Sequence, residues 1–72
     1  MSRILIEYMP MLTVQGEKAI KNFIIYSMIS ENGDTSQYDI DIVAEFLEKN
    51  NFVEDLEIIK GFINEGVNYI EI

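Results

Sequence analysis

The sequence predicts a small α+β fold, with about three helices between a short N-terminal strand and a short C-terminal strand, in a single domain over residues 1–72. Three observations support this class. Seventy-two residues suffice for one domain at most. Apolar residues alternate near both chain ends, which is the period of strands, and recur at helical spacing between them. The chain has no cysteine, so no disulfide links these elements.

The first predicted element is a strand over residues 3–8. Ile4, Ile6 and Tyr8 alternate there with Arg3 and Glu7, which is typical of a half-buried strand. Pro10 then interrupts any ladder of backbone hydrogen bonds, because proline has no N–H to donate.

The second predicted element is a helix over residues 17–30. Most of its apolar residues share one helical face: Ala19, Ile20, Phe23, Ile24 and Met28. Ile25 and Ile29 fall on the opposite side, so this helix needs cover on both sides. A strand over residues 23–29 remains the alternative, because periodicity alone does not distinguish the two in a short, β-branched apolar run.

Two further helices follow a turn-rich segment at residues 30–36. The second helix is predicted over residues 39–50, with an apolar face made of Ile40, Val43, Phe46 and Leu47. The third is predicted over residues 52–64, with an inward face made of Leu56, Ile59 and Ile63. Asn51 and Glu54 have the spacing of a capping box at its start, and Gly66 is placed to end it.

Residues 67–72 alternate again and predict the terminal strand. We expect this strand to pair with the first one in an antiparallel arrangement. Two strands alone are marginal, so pairing across a homodimer is attractive. A dimer also fits the composition, because 49% of the residues are apolar and 13 are isoleucine, whereas a chain of this length buries only about 60% of its surface.

The charge balance excludes several classes of function. There are 13 acidic and 5 basic residues, for a net charge of −8, and direct binding of nucleic acid requires cations against the phosphates. The chain has no histidine and no cysteine, so the usual general base, thiol nucleophile and zinc ligands are missing. We therefore expect a protein that is not an enzyme, holds no cofactor and does not bind nucleic acid directly.

Neither a membrane span nor a metal site is expected. The longest uninterrupted apolar run has four residues, Phe23 to Tyr26, against the roughly 18 that a bilayer helix needs. Oxygen ligands occur at Glu31, Asn32, Asp34 and Asp39, but their spacing departs from that of a calcium-binding loop. We expect a cytoplasmic protein.

The acidic residues are concentrated in residues 31–72, which carry 11 acids and two lysines. At helical spacing they form two stripes: Asp41, Glu45 and Glu48 on the second helix, and Glu54, Glu57 and Glu65 on the third. Such rows can imitate the phosphates of DNA and occupy a positive groove built for it. The alternative is a solvated face that keeps an apolar protein soluble. Ile58, beside the second stripe, is either a singly exposed residue or a partner contact.

One short segment resembles a known docking peptide. It reads Gln37, Tyr38, Asp39, Ile40, Asp41, Ile42, and it is similar to the glutamine-plus-aliphatic peptide that bacterial polymerases and repair proteins insert into the DNA sliding clamp. Gln37 matches the leading glutamine, and Ile40 and Ile42 match the aliphatic positions. Tyr38 replaces the usual leucine. The alternative interpretation is the first turn of the second helix.

The small size and acidity of the whole chain resemble those of the proteins that phages make to shut down host replication, including DNA mimics that plug the sliding clamp. This resemblance implies a homodimeric inhibitor, active in the host bacterial cytoplasm, that binds a host DNA-binding protein with a basic surface. The alternative is an acidic adaptor or antitoxin that contacts protein only. Competition by DNA for the same partner would separate the two hypotheses.

Overall fold

A computed structural model describes residues 3–30 and 37–72, with side chains described for residues 3–27 and 38–72. The elements follow in this order: β1 (Arg3–Leu5), a 3-10 helix (Ile6–Tyr8), α1 (Val14–Ser30), β2 (Gln37–Asp39), α2 (Ile40–Lys49), α3 (Val53–Asn64) and β3 (Tyr69–Glu71). The predicted α+β class, with three helices and a strand near each end, is confirmed.

The described strands form one sheet in the order β1-β3-β2. β3 lies in the centre, parallel to β1 and antiparallel to β2. Ile70 pairs with Ile4 on one side and Tyr38 on the other, and this row faces the core. The predicted antiparallel pairing of the two end strands is therefore wrong. β2 was not predicted. It gives the sheet a third strand within one chain, so the low stability of a two-stranded sheet is no longer a reason to expect a dimer.

The N-terminal strand is shorter than predicted. β1 ends at Leu5, and the chain turns through the 3-10 helix, in which Ile6 is buried. Tyr8 does not share the inward face of Ile4 and Ile6, because the change of backbone conformation after Leu5 leaves its side chain exposed. Met9, which follows, is buried in the core.

α1 begins at Val14, three residues before the predicted start, because Thr13 caps it. The Gly16 N–H donates to Thr13 Oγ1 at 2.9 Å, which satisfies one of the free N–H groups of the first turn. The helix continues through residues 23–29, so the predicted helix is correct there and the alternative strand is not. Ile25 is 45% exposed, in agreement with its predicted place opposite the buried Ile20 and Ile24.

The connection between α2 and α3 is a tight helix end rather than a capping box. Asn51 adopts a left-handed conformation with φ of 62°. The Asn51 N–H donates to Glu48 O, and the Phe52 N–H donates to Leu47 O, which is the hydrogen-bond pattern of a Schellman motif. Phe52 is the residue that precedes α3, and it makes no side-chain cap. The predicted capping box is wrong because Asn51 serves the end of α2.

Gly66 ends α3 as predicted. Its φ is 93°, a conformation that glycine adopts without the steric cost of a Cβ. The Gly66 N–H donates to Ile63 O, and the Val67 N–H donates to Phe62 O. This second Schellman motif turns the chain toward β3.

The core lies between the sheet and the three helices. Its buried apolar residues are Ile6, Met9, Ile20, Ile24, Ile40, Val43, Leu47, Ile59 and Ile70. The predicted inward faces of α2 and α3 are buried or half-buried at every predicted position. Among the described residues, no helix is long and apolar enough to cross a membrane.

Candidate protein-binding surface

The six carboxylates predicted to form stripes are all exposed. We call Asp41, Glu45 and Glu48 the α2 stripe, and Glu54, Glu57 and Glu65 the α3 stripe. Glu45 pairs with Lys49 at 3.0 Å, an exposed pair that contributes little stability. The other five carboxylates form no ion pair within the described residues. These five carboxylates therefore face solvent without a cationic side chain in ion-pair distance among the described residues.

A groove lies along α3 beside its acidic stripe. It has a volume of about 330 Å³ and is lined by Met11, Glu57, Ile58, Gly61, Phe62 and Glu65. We call it the Gly61 groove. Three predicted partner-binding residues, Glu57, Ile58 and Glu65, come together here. Ile58 and Phe62 are half-buried and give the groove an apolar wall, while the two glutamates add negative charge.

Met11 also lines the Gly61 groove, and the sequence pattern did not indicate it. Its side chain is 73% exposed, although its neighbours Met9 and Leu12 pack in or against the core. The Leu12 N–H donates to Met9 O at 3.2 Å, which fixes the turn that carries Met11. An exposed methionine is a flexible apolar surface that adapts to different partners.

Gly61 lies in the interior of α3 and has no crowding that requires a glycine. A Cβ built at Gly61 would meet no atom within 4 Å, apart from its own helix backbone and chain neighbours. Gly16, in α1, is different, because a Cβ there would collide with the carboxylate of Asp55. The fold therefore explains Gly16 but not Gly61.

Asp55 is an acid of α3 that does not belong to the surface. It is 1% exposed. Its Oδ1 accepts from the Thr13 N–H and its Oδ2 accepts from the Thr13 hydroxyl, both at 2.8 Å. The buried carboxylate therefore joins the first turn of α3 to the start of α1. Nothing in the sequence pattern distinguishes it from its acidic neighbours, because its partner lies 42 positions away.

The segment that resembles a clamp-docking peptide is built into the fold. Gln37 to Asp39 form β2, and Ile40 to Ile42 form the first turn of α2, where the Asp41 N–H donates to Asp39 Oδ1 at 2.8 Å. Ile40 is 2% exposed, and the Tyr38 ring contacts Phe23 edge-to-face at 5.5 Å. In this fold Ile40 is a core residue rather than a partner contact, whereas Asp41 and Ile42 remain on the surface.

A second apolar surface lies between α1 and α2. The Phe23 and Phe46 rings stack with centroids 4.3 Å apart. On the α1 side of this stack a groove is lined by Ala19, Asn22 and Tyr26, and Tyr26 is 74% exposed. On the α2 side another groove includes Ile42 and the Glu45–Lys49 pair. On the α1 side the lining residues are uncharged, whereas on the α2 side the charged lining residues are Glu45, which belongs to the α2 stripe, and its ion-pair partner Lys49.

No group of three or more potential metal ligands occurs among the described residues. Asp39 caps α2, while Glu31, Asn32 and Asp34, the other ligands considered from the sequence, lie outside the described residues. Comparison of the chain with protein-family models, curated proteins and solved structures gave no match.

Proposed function

We propose that the chain is a non-enzymatic inhibitor that binds a host DNA-binding protein through the acidic surface of α2 and α3. The specific target we propose is the bacterial sliding clamp, whose access to DNA would be blocked in the host cytoplasm. The observation that carries the proposal is the exposure of all six stripe carboxylates, five of them without an ion pair among the described residues.

The spacing of the α2 stripe supports imitation of a DNA backbone. Its carboxylates lie at i, i+4 and i+7, which at 1.5 Å per residue places them roughly 5 Å apart along the helix axis. Phosphates follow one another at about 3.4 Å along one DNA strand. The α2 stripe is thus a somewhat sparser row of the same sign. The α3 stripe has a wider gap between Glu57 and Glu65, and the Gly61 groove occupies that gap.

The Gly61 groove also supports the second candidate function, an acidic adaptor or antitoxin. Phosphate imitation alone needs no apolar wall, whereas Met11, Ile58 and Phe62 provide one beside the charges. A protein-only partner would use that wall and be insensitive to competition by DNA.

We also propose that the protein forms a homodimer. Support comes from Ile25 and Tyr26, which leave apolar area on the outer side of α1, and from the neutral surface around Phe23 and Phe46. A chain with net charge −8 meets a second copy with least repulsion at a face that carries no net charge.

The test is direct binding of the labelled chain to purified bacterial sliding clamp, repeated with duplex DNA as competitor and over a range of salt. We expect binding that DNA displaces and that weakens about tenfold or more as salt rises, because exposed charges are screened within about 10 Å at 0.1 M. Binding that neither DNA nor salt changes would favour the adaptor. No binding would reject the clamp as the target.

A further inference from the structure

We infer that the Gly61 groove is a docking site for a basic partner segment, and that it receives one apolar side chain flanked by lysine or arginine. The inference deepens the proposed function, because the groove belongs to the same acidic surface, and it names the chemistry of the partner at this place.

Gly61 itself is the first feature that indicates a docking site. Glycine in a helix interior costs roughly 0.8–1.0 kcal/mol relative to alanine, so its presence needs a reason. At Gly16 the reason is internal, since the Asp55 carboxylate occupies the space of a Cβ. At Gly61 that space is open, and the residue lines the groove. A bare helix backbone at this position permits close approach by a second molecule.

The apolar lining of the groove is the second feature. Met11 is largely exposed, Ile58 and Phe62 are half-buried, and all three line the groove together with the bare backbone of Gly61. An apolar side chain inserted between them removes apolar surface of both molecules from water, which is favourable. The volume of about 330 Å³ is at the small end of ligand pockets and suits a side chain better than a cofactor.

The negative charge of the groove is the third feature. Glu57 and Glu65 line the groove eight residues apart, and both are exposed. Their separation along α3 is about 12 Å, which equals two helical turns with a residue to spare. A partner helix with cations at i and i+7, which are about 10.5 Å apart along its axis, and an apolar residue at i+4 between them comes close to this spacing. A second copy of this chain is disfavoured, because it would bring a further net charge of −8 toward the same carboxylates.

The experiment uses the full chain, labelled with nitrogen-15, and a synthetic helical peptide that carries one leucine between two lysines at the stated spacing. Two matched peptides replace the leucine with serine or the lysines with glutamate. The protein variants are Gly61→Leu, which fills the groove, and Asn64→Leu, which adds the same side chain at an exposed α3 position outside it. Gly61→Ala serves as a folding control, because its methyl group meets open space.

The leucine peptide should shift the amide resonances of Ile58, Gly61 and Phe62. We expect the serine peptide to bind at least tenfold more weakly, and the glutamate peptide not to bind. Gly61→Leu should weaken the leucine peptide at least tenfold, while Asn64→Leu leaves its affinity within twofold of the wild type.

Four results would overturn the inference: no binding of the leucine peptide, equal binding of the leucine and serine peptides, undiminished binding to Gly61→Leu, or conversion of a dimer to monomers by Gly61→Leu. The last would make a second copy the occupant. Failure here is separable from failure of the proposed function. If only the inference fails, the sliding clamp still binds in a salt-dependent way. If only the proposed function fails, the peptide still binds but the clamp does not.

Discussion

At the scale of single residues, the two acids that matter most have opposite environments. Glu57 stands in solvent at the Gly61 groove, whereas Asp55, two positions earlier, is buried against Thr13. The helical period correctly predicts that Glu57 lies opposite the apolar face. It does not predict the role of Asp55, because that role depends on where the start of α1 packs, 42 residues away in sequence.

We predict that Asp55→Ala lowers the free energy of unfolding by about 2–3 kcal/mol, because the mutation leaves the Thr13 N–H and hydroxyl without their charged acceptor. Asp55→Asn should cost less, since its amide oxygen can still accept from one of them. Urea denaturation followed by circular dichroism measures both values. An unchanged midpoint for Asp55→Ala would contradict the contact.

A double-mutant cycle between Gly16 and Asp55 provides a control for the same contact. Gly16→Ala should destabilise the wild type by about 1–3 kcal/mol, because the added methyl group collides with the carboxylate. In the Asp55→Ala background the same mutation should cost far less, since the carboxylate is gone. Equal costs in the two backgrounds would show that the residues are not coupled.

At the scale of elements, the sequence predicted the helices and a helix end better than it predicted how the strands pair. Gly66 was predicted to end α3 because a glycine after a periodic run is itself the signal. Asn51 was misread as an N-cap, since asparagine suits both that position and a left-handed helix end, and only the hydrogen bonds to α2 decide. The parallel pairing of β1 with β3 is set by contacts between segments that are distant in sequence, so no local pattern indicates it. β2 has three residues, which are too few to show the alternation of a strand.

The role of Asn51 gives a prediction at this scale. Asn51→Gly should keep or raise stability by a few tenths of a kcal/mol, because glycine adopts φ of 62° without a Cβ penalty. Asn51→Ala should lower it by about 1 kcal/mol, because alanine is disfavoured in the left-handed region. Thermal denaturation of both variants provides the measurement. If alanine were tolerated as well as glycine, the left-handed end of α2 would be wrong.

At the scale of the whole molecule, the two apolar surfaces differ in charge: the Gly61 groove carries carboxylates that are unpaired among the described residues, whereas the surface between α1 and α2 carries the ion pair Glu45–Lys49. The carboxylate stripes were predicted correctly as exposed, because helical spacing places them opposite the core residues. The Gly61 groove was not predicted, since Met11 belongs to a turn far from α3 in sequence. The apolar surface between α1 and α2 was not predicted, and Ile25, whose exposure was predicted, lines neither of its grooves.

Self-association is the prediction that the apolar surface between α1 and α2 supports. Sedimentation equilibrium at low micromolar concentration should give about twice the 8.4 kDa mass of one chain. Tyr26→Lys, on the exposed neutral surface, should shift the equilibrium toward monomer by placing a lysine at the contact. Tyr8→Lys, the same change at a tyrosine that is 65% exposed and lies outside this surface, is the matched control. A wild type that sediments as a monomer would remove the dimer from the proposal.

The central claim is that the exposed carboxylates of α2 and α3 make the contact with a basic partner. The most direct measurement is the affinity for the sliding clamp of two charge-reversed proteins, with either the α2 stripe or the α3 stripe changed to lysine. Both should remain folded, because surface changes shift stability by only about 0.5 kcal/mol each. A single reversal within the α3 stripe, Glu57→Lys, is measured as well. Its control is Glu7→Lys, which reverses an exposed charge outside both stripes.

We predict that at least one triple reversal abolishes clamp binding, because a basic surface repels lysine as it attracts carboxylate. Glu57→Lys should weaken binding more than Glu7→Lys, although the two change the net charge equally. If both triply reversed proteins are folded and bind the clamp with undiminished affinity, the stripes are not the binding surface and the account is contradicted.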